Sequence, residues 1–219
     1  MNYLNSSRVL EKSLKTLNHN YHYINLLCWR ECLNPTDHDV FFIDSVSMKL
    51  LIRLLTGLRM ERNPGVEVVL DLGKSSLVLS SKRLKRTNSL EIPWINDFDT
   101  LNTFVGTIPN TFQTYYIGIS SPKQNLMARN MRKHGITGEI YCLGAAIDNH
   151  FVNSNKRSFC YDRVYWFSMF LNNPKRGFSK IYKTIFEFIL ILFDTELRRK
   201  FIRAAIIIQQ NQGKLIEKK

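Results

Sequence analysis

The sequence predicts an α/β fold: a Rossmann-like, mostly parallel sheet carrying a basic, amphipathic helical appendage at its C-terminal end. Three observations carry that prediction. Short apolar runs, too short for helices, recur at 40–43, 115–119 and 140–144. The first two lead into residues with helical periodicity, and strands alternating with helices imply a parallel sheet. Beyond about Lys156 the composition turns basic and aromatic. With 219 residues and 44% hydrophobic content, the chain suits one ordinary domain with room for an addition. We expect a Rossmann-like domain over 1–160 and a helical, membrane-associating appendage over 161–219.

The elements follow in order. Val40-Phe41-Phe42-Ile43 reads as a strand buried on both faces. Asp44 ends it, and Met48, Leu51, Ile52 and Leu55 then mark a helix that stops at Gly57. Asp44 thus falls at the carboxyl end of a strand, where open α/β sheets place ligands. The stretch from Val66 to Ser81 is strand-like around Leu77-Val78-Leu79. Tyr115 to Ile119 reads as a second buried strand, with a helix from Ser121 to about Lys133. Ser121 suits the N-cap, Pro122 the first turn and Gln124 a capping box. Ile140 to Gly144 is a third strand, opening into Ala145-Ala146-Ile147-Asp148.

From Lys156 to Arg203 there are eleven Lys or Arg against four Asp or Glu, interleaved with Trp166, Phe167, Phe170, Tyr182, Phe186, Phe188 and Phe201. This pattern predicts two or three amphipathic helices that either pack on the domain or lie on a membrane surface. No uncharged apolar run reaches the ~18–20 residues that span a bilayer. The nearest, Ile185 to Phe193, is short and contains Glu187. Met1 to Lys12 is polar and lacks the apolar core of a secretory signal, so a reducing cytoplasm is expected. The formal charge of +13 calls for an acidic partner, whether phosphorylated ligand, anionic lipid or nucleic acid.

Several motifs bear on chemistry. The chain has neither a Walker loop nor G-x-G-x-x-G, which argues against P-loop enzymes and common dinucleotide folds. Asp97-Phe98-Asp99 has the D-x-D form of a metal-diphosphate site, but its position before Leu101-Asn102-Thr103-Phe104 fits helix-capping carboxylates better. Cys28 and Cys32 suit one helix face rather than a zinc site. His19 and His22 read equally well as surface groups beside Tyr21 and Tyr23. Lys82-Arg83-Leu84-Lys85-Arg86 suits RNA or phosphate, or a solvated face.

Four blocks resemble the WecG/TagA/CpsF family, glycosyltransferase family 26, over about 16–183. Thr16-Leu17-Asn18-His19 is similar to its T-x-N-[PH] turn, Asp44 to its strand-terminal aspartate, and Arg62-Asn63-Pro64-Gly65-Val66-Glu67 to its R-x-x-G-x-[DE] segment. Gly118-Ile119-Ser120-Ser121-Pro122-Lys123-Gln124 resembles its G-x-x-x-P-K-Q signature, followed by Leu143-Gly144-Ala145-Ala146 and Lys156-Arg157. Trp166 and Pro174-Lys175-Arg176 resemble its E-W-x-x-R-L…P-x-R stretch. Ser45, Asn125, Tyr165 and Met169 depart from the pattern.

The resemblance implies a hexosyltransferase moving a hexosamine-type sugar from a UDP-sugar to a polyprenyl-diphosphate-linked acceptor in cell-surface polysaccharide synthesis. In that reading Asp44 is the general base, with Thr16 and Asn18 beside it. Arg62, Ser121, Lys123, Gln124 and Gly144 serve the nucleotide, and Arg157, Lys175 and Arg176 neutralise the leaving diphosphate. No metal or other cofactor is expected. The partners are the UDP-sugar, the lipid-linked saccharide and an anionic membrane surface, with room for a homo-oligomer and no nucleic acid. The enzyme would sit peripherally on the inner face of the cytoplasmic membrane. Two other readings stay open at this point: a degenerate, non-catalytic family member acting as an assembly partner, and a basic nucleic-acid-binding module.

Overall fold

The structure, a computed structural model, describes residues 18–63, 65, 68, 70, 73–81, 84, 88–93, 97–144, 146–147 and 174–216, without the side chains of Phe98, Arg176 and residues 212–216. Along the chain run β1 (Asn20–Ile24), a 3-10 turn (Trp29–Leu33), β2 (Asp39–Ile43), α1 (Val46–Thr56), β3 (Ser76–Ser80), β4 (Ser89–Glu91) and α2 (Phe98–Gly106). Then come β5 (Thr114–Gly118), α3 (Lys123–Lys133), β6 (Glu139–Cys142), α4 (Pro174–Phe193) and α5 (Thr195–Ile216). The six strands form one sheet in the order β2-β1-β6-β5-β3-β4, and every pairing is parallel. The expected Rossmann-like α/β sheet is therefore present, with the three apolar runs as β2, β5 and β6.

Side chains alternate across the sheet and divide the core in two. One face presents Ile24, Phe41 and Ile43 to α1 and α5, and Leu77, Leu79, Tyr115, Ile117 and Ile140 to α2 and α3. Its helices bury Met48, Leu51 and Ile52 from α1, Leu101 and Val105 from α2, and Met127, Ala128 and Met131 from α3. The opposite face is aromatic: Tyr21, Tyr23, Tyr116 and Tyr141 gather there with Phe42, and Tyr21 stacks on Tyr141 at 4.6 Å. Leu70, Val68, Ala146 and Ile147 pack against it.

Helix ends follow the local chemistry. Ser45, not Asp44, caps α1: its hydroxyl accepts from the Met48 amide. Gly57 closes that helix in the left-handed region at φ 74°, where glycine is favoured. Asp97 caps α2 by accepting from the Thr100 amide at 2.6 Å, so the D-x-D pair serves as a helix start. At α3 the expected Ser121 cap and capping box are not formed. The helix begins after Pro122, following a cis Ser121–Pro122 bond, with no side-chain cap. Gln124 instead donates from its side-chain amide to the Ser121 hydroxyl.

The C-terminal helices differ from an appendage. Phe201, Ala204, Ala205 and Ile208 of α5 are buried in the same core as β1, β2 and α1, and Phe201 meets the buried Trp29 edge-on at 5.3 Å. Helix α5 is thus a layer of the domain, because its apolar stripe completes the cover over β1 and β2. No described helix is long and apolar enough to cross a membrane.

Candidate functional site

In an all-parallel sheet the carboxyl ends of all strands lie along one edge. That edge gathers Asn25 after β1, Asp44 after β2, Ser121 shortly after β5 and Gly144 after β6. The backbone fixes Asp44 first: its amide donates to the Ile24 carbonyl, extending the β1–β2 pairing by one residue. The Arg62–Gly65 segment then wraps around it. Arg62 makes a parallel bridge with Ile43, and the Arg62 Nε donates to the Asp44 carbonyl at 2.9 Å. The Gly65 amide donates to the Asp44 carboxylate, also at 2.9 Å. The fit is close, since a Cβ there would stand 3.2 Å from the Tyr23 ring, which would have to shift by a few tenths of an ångström. Arg62 thus holds the Asp44 backbone and Gly65 its side chain.

With Ser45 supplying the cap, the Asp44 carboxylate is left to face a cavity of about 110 Å³. Asn25, Ser45, Ser47, Lys180 and Thr184 give it polar walls, and Leu26 and Leu27 apolar ones. Burial raises the Asp44 carboxyl above the usual range; the Gly65 amide, Arg62 and Lys180 pull against that rise. A strand-end carboxylate made more basic by its surroundings, in a small polar cavity with a cation across from it, can take a proton from a hydroxyl and hold an anionic group nearby.

The second cluster adjoins the first through Cys28. Its thiol, pushed up to about 11 by burial, is held by hydrogen bonds with Asn25, and the nearby Ser121 side chain pulls against that rise. Beyond Ser121, Gln124 is buried, and its side-chain oxygen lies 3.4 Å from where a Cβ on Gly144 would stand. Gly144 is in the left-handed region at φ 57°. Asn125, next in the chain, ties this turn to the sheet: His22 donates to it from Nδ1 at 3.0 Å and to Asp39 from Nε2 at 2.8 Å. Asp39 also accepts from Asn20, Arg129 and the Thr36 amide. Burial alone would lower the His22 imidazole, but Cys142 and Asp39 outweigh it and push it up to about 10.

Compared with known proteins, the chain matches no family model, no curated protein and no solved structure. Any assignment of activity rests on the geometry of this edge and on the motif resemblance.

Asp44, Gly144 and Ser121 lie along the carboxyl edge after β2, β6 and β5, with Arg62 held to Asp44, Gln124 held to Ser121, and the exposed Lys123 opening α3. Asn18 does not. It precedes β1, and its carbonyl accepts from His38 Nδ1, so it sits at the amino edge of the sheet, a full strand length from Asp44. A five-residue strand spans roughly 16 Å, which rules Asn18 out as a partner of Asp44. The place beside Asp44 belongs to Asn25. Thr16 and Arg157 lie outside the described residues, as does the Arg176 side chain, although its backbone is in α4.

Asn25, Lys180 and Thr184 are the site residues that the sequence reading missed. Asn25 was detectable as the first polar residue after an alternating strand, had Asn20–Ile24 been recognised as one. Lys180 and Thr184 sit four apart on α4 and carried no local signal. His22, for which a surface position was an equally good reading, is wholly buried, and Cys28 and Cys32 are buried free thiols. Among the described residues, no cluster of three or more His, Cys, Asp or Glu has the arrangement of a metal site.

Proposed function

We propose that this chain is a glycosyltransferase that moves a hexosamine-type sugar from a UDP-sugar to a polyprenyl-diphosphate-linked acceptor. One observation carries the reading: Asp44 is a strand-end carboxylate of raised basicity that faces a polar cavity and is not spent on capping α1. In the proposed step, Asp44 takes the proton of the acceptor hydroxyl as that oxygen bonds to the anomeric carbon. The bond from that carbon to the donor's diphosphate breaks, and UDP leaves with the electron pair. Lys180 lines the cavity and supplies positive charge for the diphosphate, joined by basic groups such as Lys175. Catalysis proceeds without a divalent metal.

Peripheral attachment to an anionic membrane belongs to the same proposal. On α4, Phe178, Tyr182, the adjacent Ile185 and Phe186, Ile189 and Phe193 follow one another at helical three- and four-residue steps and are all exposed, reaching 69% at Tyr182 and 82% at Phe193. Lys175 and Lys183 are exposed near this stripe, as an interfacial helix requires. A lipid-linked acceptor would then reach a cavity whose wall is the same helix.

The test is a titration of purified protein with UDP and a panel of UDP-sugars, followed by transfer to a polyprenyl-diphosphate saccharide in excess EDTA. Saturable UDP binding with EDTA-resistant transfer is expected. Tight, steeply salt-dependent RNA binding without UDP binding would replace this reading with a nucleic-acid module.

A further inference from the structure

The Asp44 cavity has two walls of different origin. Asn25 to Leu27 follow directly from β1, whereas Lys180 and Thr184 arrive on α4 from the far end of the chain. Lys180, Thr184, Glu187 and Ile191 are spaced four, three and four apart, which puts them on one helix face. Ile191 is fully buried in the core over β1 and β2. Glu187 does something the apolar residues of that face cannot. Its Oε1 accepts from the Trp29 indole Nε1 at 2.7 Å and forms an ion pair with the Arg30 Nη1 at 2.7 Å. The Arg30 guanidinium also lies over the Trp29 ring at 4.7 Å. Trp29 is itself immobilised, fully buried against Phe201, and it is two residues past the cavity wall at Leu27. One carboxylate therefore joins the two walls.

We propose that Glu187 is a positioning residue whose clamp on Trp29 and Arg30 sets the register of α4 and so holds the Lys180 ammonium at the Asp44 cavity. Apolar contact is non-directional and leaves a helix able to slide or roll. A slip of one turn would carry Lys180 about 5.4 Å along the axis. The hydrogen bond from the Trp29 indole to Glu187 is directional, and with the Arg30 ion pair on the same oxygen it selects one register. The consequence for turnover rests on the glycosyltransferase reading; the clamp itself does not.

The experiment follows the Asp44 carboxyl by NMR in full-length protein carrying ¹³C-labelled aspartate, with Asp44→Asn identifying the signal. Lys180→Met should raise the Asp44 titration midpoint, because a nearby cation is lost. Glu187→Ala should raise it by a comparable amount, and should add nothing further in a Lys180→Met background. The sign is decisive: removing the negative charge of Glu187 would by itself lower the midpoint, so a rise reports displacement of Lys180. Glu187→Gln keeps an oxygen for the indole and removes only the ion pair. It should shift the midpoint upward by less, and it carries the test if the alanine variant fails to fold. An unchanged or lowered midpoint in the variants that fold, or shifts that add fully to Lys180→Met, would overturn the proposal. A parent protein that transfers no sugar yet shows these shifts would refute the activity and leave the clamp standing.

Discussion

At the scale of single residues, Asp44 and its neighbour Ser45 divide two jobs that adjacent polar residues often confuse. Ser45 spends its hydroxyl on the Met48 amide, so Ser45→Ala should cost about 1 kcal/mol in chemical denaturation. Asp44 is held by Gly65 but buried enough that ionisation is opposed. Its folded pKa is raised, so the native state binds this proton more tightly than the unfolded chain. Ionised Asp44 therefore subtracts stability as pH rises through its folded pKa. Asp44→Asn keeps an oxygen for the Gly65 amide and removes that burden, so the melting temperature at neutral pH should hold or rise. Transfer should fall about a hundred- to ten-thousand-fold, the usual loss when a general base is removed. Near-parental turnover in a stable Asp44→Asn protein would end its assignment as the base.

The buried pair behind the site works in the opposite sense. The His22 pKa is raised, so its contribution is complete below about 6.5 and lost as pH climbs toward 10. The Asp39 carboxyl is held well below its ordinary 3.8, chiefly by His22 against the pull of burial, so its contribution is lost only in strong acid. Stability should therefore decline between pH 6.5 and 10 in the parent and flatten in His22→Gln, as urea midpoints across that range would show. Asp39→Ala leaves His22 charged and buried without its acceptor, and should cost about 3–5 kcal/mol.

Among the elements, those that the sequence revealed are those whose pattern is local. Residues 40–43 and 115–119 are unbroken apolar or aromatic runs, because strands buried on both faces have no polar side to display. Gly57 and Asp97 mark helix ends by chemistry confined to a few residues. β1 escaped notice although it is central and entirely buried. Asn20 and His22 break its apolar run, and they are tolerated only because Asp39, Asn125 and Arg132, distant in sequence, satisfy them. Missing β1 hid Asn25 and left Asn18 to be placed beside Asp44. The turn before β6 offers a test at this scale. A Cβ on Gly138 would stand 2.6 Å from the Phe112 carbonyl and 2.6 Å from the Tyr115 ring. The backbone there cannot yield cheaply, so Gly138→Ala should lower stability by about 1–3 kcal/mol. A melting temperature equal to the parent's would mean that the turn relaxes around the added methyl.

For the whole molecule, basic and aromatic composition pointed to one C-terminal unit, whereas the structure gives its two helices different surroundings. That division was illegible in the sequence, since α4 and α5 both alternate apolar with basic residues. Only the sheet decides which apolar stripe is covered. The stripe on α5 is inside, with Phe201 fully buried, whereas the stripe on α4 that runs from Phe178 to Phe193 faces outward. Equivalent polar substitutions should therefore have opposite signatures. Phe201→Ser removes a large side chain from the core and leaves a hydroxyl in its place. It should destabilise by at least the ~3–5 kcal/mol typical of emptying an aromatic site, seen as an early urea transition or loss of soluble protein. Tyr182→Ser with Phe186→Ser alters only exposed surface, and should leave the transition within about 0.5 kcal/mol for each change. If α4 seats the protein on anionic lipid, this second variant should lose sedimentation with phosphatidylglycerol vesicles while remaining folded. The parent should bind those vesicles and release them at high salt, because attraction between lysines and an anionic leaflet is screened. A Tyr182→Ser/Phe186→Ser protein that still sediments like the parent would remove α4 as the membrane face, and charge elsewhere on this +13 chain would have to account for any binding.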